Sequence, residues 1–445
     1  MLTPALVTLV LLGIVSLFLI GAAAATLVML VNGAAETRNR KDYGMDDSWT
    51  SLLEPSLVPE VAMIGVPPDA SQESRLYIRR LLKLHFANYE VILVLDGPTD
   101  SDLAIWKEAF HLKPASLSRT SSQETGPIRA VYTSLEPIRL TVVDRQRGGE
   151  AACLNTGIHV TNAPVIGTVD VDAQFSEDAL LRMIRPMVAD PERTIAVCGG
   201  TPALPAAGLI ARLYRLDSIL TWLGRSAGLS AWNTLLPAPG SFLLLNREAV
   251  IGAGGFQAGA LDMIVRLHAV ARAQRRPYAI GFVPDPVSRL GTPASMKQSR
   301  ALLKREQSDI GRALGRNARH LMGSGSLGWL ALPGLLWASY LLPAVEIAGL
   351  GLAIVALALG WIEPALAGLL LAGTIGFEIL VSMTAVILHE YALRPEADPG
   401  ELVSLFVSAI PQNLGYRQVR SLWGMGGFAR RAELRAAEQI ERQSS

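Results

Sequence analysis

The chain has 445 residues, enough for two ordinary domains. Half are hydrophobic and only 18% are charged, which is apolar for a soluble enzyme and points to membrane segments. A formal net charge of +1 supplies no field for nucleic acid, which is excluded as a partner.

Residues Ala5 to Val31 are uncharged and apolar, long enough to cross a bilayer. No basic residue precedes the run, and it exceeds a signal-peptide core, so it reads as an uncleaved anchor over 1–33. Arg38, Arg40 and Lys41 follow, which puts the amino terminus outside and the next domain in the cytoplasm. Residues 34–58, with acids and prolines, read as a linker. A domain over 59–322 then alternates strands with helices. Strands are expected at Val61–Val66, Glu90–Leu95, Ile138–Val143 and Ala163–Val169, with a basic helix at Glu73–Lys83 and a Ser/Thr-rich loop at Pro114–Gly126. This alternation indicates an α/β domain with a mostly parallel sheet.

A second apolar region occupies 323–392. Leu327–Leu342 suits the interface or the start of a crossing, while Pro343–Gly360 and Ala365–Leu388 are the better spanning candidates. Residues 393–445 form an amphipathic and basic tail, with Arg417, Arg420, Arg430, Arg431 and Arg435, expected on the cytoplasmic side. An outside start and an inside tail require an odd number of crossings. Three is the expectation, and five follows if Leu327–Leu342 and Leu402–Leu414 both cross. Glu346 and Glu378 fall inside these segments, where a carboxylate is costly; helix pairing or placement near headgroups accounts for them. Cys153 and Cys198 read as buried thiols, and the six histidines form no metal-ligand spacing.

Chemistry concentrates at Thr168-Val-Asp-Val-Asp172, the end of the Ala163–Val169 strand. Residues two apart on a strand point to the same side, so Asp170 and Asp172 can share one cation. Paired carboxylates with open positions suit Mg²⁺ or Mn²⁺ bound to a diphosphate; two solvated acids at a strand end remain the alternative. Upstream, Asn88–Asp100 is an apolar strand ending in an acidic turn, and Gly148–Gly157 is a Gly-Gly turn opening a helix. Acidic turns at the carboxyl ends of successive strands are where open α/β sheets bind nucleotides. The Gly252-Ala-Gly-Gly255 run lacks the spacing and context of a dinucleotide loop.

On these stretches, together with Val61–Pro67, Pro239–Val250, Gly254-Gly-Phe256, Arg276-Pro-Tyr278, Phe282–Pro286 and Asn413–Gln418, the chain resembles the membrane-bound family 2 glycosyltransferases. Those enzymes build bacterial polysaccharides and glycolipids from nucleotide sugars. The resemblance implies a GT-A nucleotide-diphospho-sugar transferase fold in the bacterial inner membrane. It also implies a UDP-sugar donor and a glycan or lipid-linked acceptor. Donor contacts are implied at Pro67, Asp96, Asn155, Asp170 and Arg305, and metal ligation at Asp172 with Asp170.

The chain departs from that family where chemistry is done. Glu150 stands where a lysine is usual, which sets like charges beside the diphosphate. A gapless register through Arg266-Leu-His268 puts Ala260 at the position of the catalytic base; Asp262 becomes the base only by a two-residue slip, about 200° around a helix. The family's Gln-x-x-Arg-Trp box falls on Leu302 to Glu306, keeping Arg305 alone, and Gly291 replaces a frequent acid. Two readings follow. One is a catalytically impaired subunit that binds UDP-sugar and metal beside a partner synthase. The other is an active inverting transferase with Asp262 as base.

Overall fold

A computed structural model describes residues 4–41, 58–115, 127–134, 139–200, 202–205, 207–284, 287–323, 325–393 and 399–424. Eleven strands form along the domain: β1 (Val61–Gly65), β2 (Tyr89–Asp96), β3 (Lys113–Pro114), β4 (Ile128–Ser134), β5 (Leu140–Arg145), β6 (Val165–Thr168), β7 (Ala173–Phe175), β8 (Thr194–Gly199), β9 (Phe242–Asn246), β10 (Ala279–Val283) and β11 (Ser288–Leu290). Nine of them make one sheet in the order β10-β8-β9-β6-β1-β2-β5-β4-β3, and β7 pairs with β11 separately. The centre, β6-β1-β2-β5, is parallel. On the flanks β9 runs antiparallel to both β6 and β8, and β4 is antiparallel to β5, while the outer pair β8–β10 is parallel. The sheet is therefore mixed rather than mostly parallel. One cause is local, since β4 and β5 are too close in sequence for a helical crossover.

Strands β1 and β2 are buried along nearly their whole lengths because the sheet is covered on both faces. Ala62, Ile64, Ile92 and Val94 enter one core; Val61, Met63, Val91 and Leu93 enter the other, following the period of two. Both cysteines are buried, as expected, at 0% and 2% exposure.

The helices of the domain are α2 (Gln72–Leu81), α3 (Asp100–Ala109), α4 (Glu150–Val160), α5 (Ala179–Ala189), α6 (Leu209–Thr221), α7 (Gly228–Ser230), α8 (Arg247–Gly252), α9 (Ala260–Ala273) and α10 (Met296–Arg316). Before them, α1 runs from Pro4 to Lys41 without a break at Gly33, so the start of the expected linker is helical; 42–57 lie outside the described residues. Gly33 sits where α1 meets the domain. A Cβ there would stand 2.1 Å from Leu223 O, and one on Gly228 would stand 2.7 Å from Met29 O. Only glycines allow backbones that close.

After α10 come α11 (Leu332–Leu336), α12 (Leu342–Ala358), α13 (Pro364–Leu393) and α14 (Pro399–Pro411). Among the described residues three helical stretches are long and apolar enough to cross a membrane: Pro4–Asn39, Leu327–Ala358 and Pro364–Leu393. Leu327–Leu342, expected at the interface or at the start of a crossing, begins the second of these. Wide turns at Leu327–Ala331 and Trp337–Leu341 precede Pro333 and Pro343 or lie between them, where the helix lacks amide donors. Leu402–Leu414 belongs to α14 and the turn after it, outside the candidate spans.

These helices are continuous with the domain core. Leu30 and Ala34 of α1 and Val381 and Ala385 of α13 share one apolar cluster with Ile64, Leu216 and Trp222. The segment after α14 closes the assembly. Gly415, at φ 121°, turns the chain so that Arg417 bridges Glu346 (3.1 Å) and Glu378 (2.7 Å). Gln418 donates to Glu346 at 2.7 Å, and the Tyr416 hydroxyl lies 2.8 Å from that of Ser299 at the start of α10. The two membrane carboxylates therefore pair helices, and the Asn413–Gln418 stretch is the clasp.

Candidate donor site

Pro67, Asp96, Asp170 and Asp172 lie at or just beyond the carboxyl ends of β1, β2 and β6. β1 delivers Pro67, which is buried just beyond the strand. Asp96 ends β2 and accepts from the Gly148 amide at 2.7 Å and the Gly149 amide at 3.0 Å, one on each oxygen. Burial works to raise its pKa, but those two amides, the Cys153 thiol and the Arg145 guanidinium outweigh it. The carboxylate is held below its ordinary value. Asp96 thus shapes the Gly-Gly turn that opens α4.

Asp170 and Asp172 follow β6. The turn is fixed by an Ala173 amide donating to Asp170 O (3.0 Å) and by the Tyr77 hydroxyl donating to Val169 O (2.9 Å). Asp170 is half-buried, whereas Asp172 is exposed. Loss of water raises the Asp170 pKa first; Arg305 opposes, Asp172 adds repulsion, and the Gly240 amide opposes again, with a net upward shift. Glu150 is also raised, by desolvation in the cleft and then by the Asp170 charge, although its side chain faces solvent. Arg305 reaches over from α10, with Nη1 3.6 Å from Asp172 Oδ2. Sequence reasoning did not single out Asp309 and Arg312 on that helix. Their charges act on Glu150, and that of Asp309 also acts on Asp170 and Arg305.

The charges of Glu150, Asp170, Asp172 and Asp309 and of Arg305 and Arg312 thus act on one another across this end of the sheet. Among the described residues no three side chains are placed to ligate a metal. The protein offers two adjacent carboxylates and leaves the remaining positions open.

Two expected residues are engaged elsewhere. Asn155 clamps the Gly-Gly-Phe turn: its Nδ2 donates to Phe256 O at 2.8 Å, and its Oδ1 accepts from Phe256 N at 2.7 Å. Gly255, at φ 66°, is required there twice over, because a Cβ would also stand 2.7 Å from Asn155 Oδ1. Asp262 is 1% exposed. One of its oxygens accepts from Arg266 Nε at 3.0 Å and the other from Asn317 Nδ2 at 2.9 Å. Arg266 in turn donates to Ala253 O and Gly255 O at 2.6 and 2.5 Å. A base must come within hydrogen-bond reach of the acceptor hydroxyl, and this carboxylate has neither a free oxygen nor an opening. Asp262 braces the turn from inside. Glu306, at the expected tryptophan position, pairs with Arg225 at 3.4 Å.

Residues 75–250 match the family model described as Glycosyl transferase family 2. The structure is similar to that of the mannosyltransferase PcManGT from Pyrobaculum calidifontis in complex with GDP-Man and Mn²⁺. The TM-score is 0.53 at 17% identity, covering 89% of this chain and 99% of that one. The chain has a GT-A glycosyltransferase fold. A weaker likeness joins it to glucosyl-3-phosphoglycerate synthase from Mycobacterium tuberculosis in complex with Mn²⁺, UDP and phosphoglyceric acid. There the TM-score is 0.36 at 11% identity, over 60% of this chain and 82% of that one. A search of curated protein sequences finds no match. The family match ends at Val250, so the turn at Gly254–Phe256, α9 and α10 lie beyond it, while Asp96, Asp170 and Asp172 of the GT-A domain lie within.

Proposed function

We propose that the GT-A domain binds a UDP-sugar together with Mg²⁺ or Mn²⁺ and passes the sugar to a glycan or lipid-linked acceptor. The setting would be polysaccharide or glycolipid assembly at the bacterial inner membrane, with three crossings and the domain in the cytoplasm. One observation carries the reading: Asp170 and Asp172 follow a central strand with Arg305 beside them. Two neighbouring carboxylates suit a hard metal that completes its shell from a diphosphate. Asp170 and Asp172 would hold it, and once bound it would neutralise the leaving diphosphate as a Lewis acid. Arg305 stands ready to bind the same diphosphate, with Asp96 and the turn it supports at the nucleotide edge.

A second reading, a non-catalytic subunit beside a partner synthase, is favoured by Ala260 and by the locked Asp262. Titration of the solubilised chain with UDP-glucose, UDP-N-acetylglucosamine and GDP-mannose, with Mn²⁺, tests the first reading. Metal-dependent binding lost in Asp172→Ala supports it. No binding to any donor sinks it. Binding with no nucleoside diphosphate release, in the presence of a membrane lipid extract, favours the subunit.

A further inference from the structure

We propose that Asp309 is the general base of sugar transfer, a carboxylate supplied by α10 where the start of α9 has Ala260. The assignment rests on the donor-binding reading above. Residues 305, 309, 312 and 316 are spaced four, three and four apart and share one face of α10. Three contacts show where that face lies. At one end Arg305 meets Asp172 of the acidic pair at 3.6 Å. At the other end Arg316 donates to Gln257 Oε1 at 3.3 Å, on the turn leading into α9. Between them, a Cβ built on Gly259 would stand 4.0 Å from Asp309 Cγ. Asp309 thus overlies the residue preceding Ala260, one helical turn, or about 5.4 Å, from the arginine at the donor.

Its surroundings suit the role. The side chain is 34% exposed, so an acceptor can reach it. Arg312 donates to Oδ1 at 2.5 Å and orients the carboxylate, while no hydrogen bond among the described residues engages Oδ2. Asp262, one turn into α9, has both oxygens occupied. Glu150 stands on the donor side, beside the Gly149 turn. In the transfer step the acceptor oxygen bonds to the anomeric carbon and its proton passes to Asp309 Oδ2. The bond from that carbon to the diphosphate oxygen breaks, and its electron pair leaves with the nucleoside diphosphate. Asp309 then returns the proton to water.

The test uses the full chain in lipid nanodiscs with Mn²⁺, the same three donors and a membrane lipid extract. Nucleoside diphosphate release and donor Kd are measured in parallel. Asp309→Asn is expected to lower turnover by about 10²–10⁴-fold, the usual contribution of a general base, with donor Kd within about threefold. Adding Ala260→Asp to Asp309→Asn should recover about tenfold or more, which a merely structural Asp309 would not permit. The assignment is overturned if Asp309→Asn turns over at more than about a third of the wild-type rate, if it loses donor binding in step with turnover, or if Ala260→Asp gives no recovery. Wild-type protein that binds donor and never releases nucleoside diphosphate also overturns it, while leaving the donor reading intact. Failure of wild type to bind any donor removes both.

Discussion

After β6, Asp170 stands half-buried and Asp172 exposed, and their charges repel; at the start of α9, Asp262 spends both of its oxygens on Arg266 and Asn317 inside the core. The first arrangement is poor for stability and useful for binding a cation, because only an added charge relieves it. The second holds a turn in place and offers nothing to a substrate. The same residue type thus stands open to solvent and a neighbouring charge in one place and is built into the fold in the other. Exposure and partners distinguish the two uses, not proximity to a motif.

The sharpest way to break this contrast is Asp262→Ala. It strands Arg266 in the core, and losing one partner of a buried pair costs about 3–5 kcal/mol. A large drop in melting temperature of the solubilised protein is expected. Unchanged melting with abolished turnover would return Asp262 to the base position and erase the distinction. Asp172→Ala should do the reverse. Donor affinity in Mn²⁺ should fall about tenfold to a hundredfold, about 1.4–2.7 kcal/mol by calorimetry, with melting nearly unchanged because the side chain is exposed.

A third test uses pH. His268 of α9, buried between Leu235 O and the Tyr278 hydroxyl, is pushed down to about 4 from 6.5 by desolvation. Its folded pKa lies below the unfolded one, so the unfolded state takes up the proton first. Stability should therefore be full above about 6.5 and fall as pH drops toward about 4, by about 1.4 kcal/mol per pH unit. His268→Gln should flatten that slope in acid melting curves; an unaltered slope would place the acid sensitivity elsewhere. The smallest effect expected is from Glu150→Lys. Removing a negative charge beside Asp170 and adding a positive one should tighten donor binding severalfold, about 1 kcal/mol at contact distance in water. Weaker binding would mean that Glu150 helps to hold the cation.

Much of the donor edge was legible. β1, β2 and β6 start or end within a few residues of the expected strands, since strand patterning and the turns after it are written in consecutive residues. β4 was missed: only Val131 and Tyr132 of its seven residues are buried, and its apolar run is just three residues long, flanked by Arg129 and Thr133. Asn155 was expected at the donor from the family resemblance; nothing local indicates that its amide faces Phe256, 101 residues away. Asp309 carried one faint signal, its four-residue spacing from Arg305, which places it on the same helix face without saying what that face covers.

By itself the sequence determined the apolar segments, the central strands and the acidic turn at Asp170–Asp172, because each depends on neighbours within a few residues. Only the tertiary structure decided which carboxylates remain available. Asp262 is taken by Asn317, 55 positions on, and Asp309 arrives over the start of α9 on a helix clasped by Tyr416, 117 positions beyond Ser299. Contacts of that span come from packing, and no pattern along the chain encodes which oxygen they leave free.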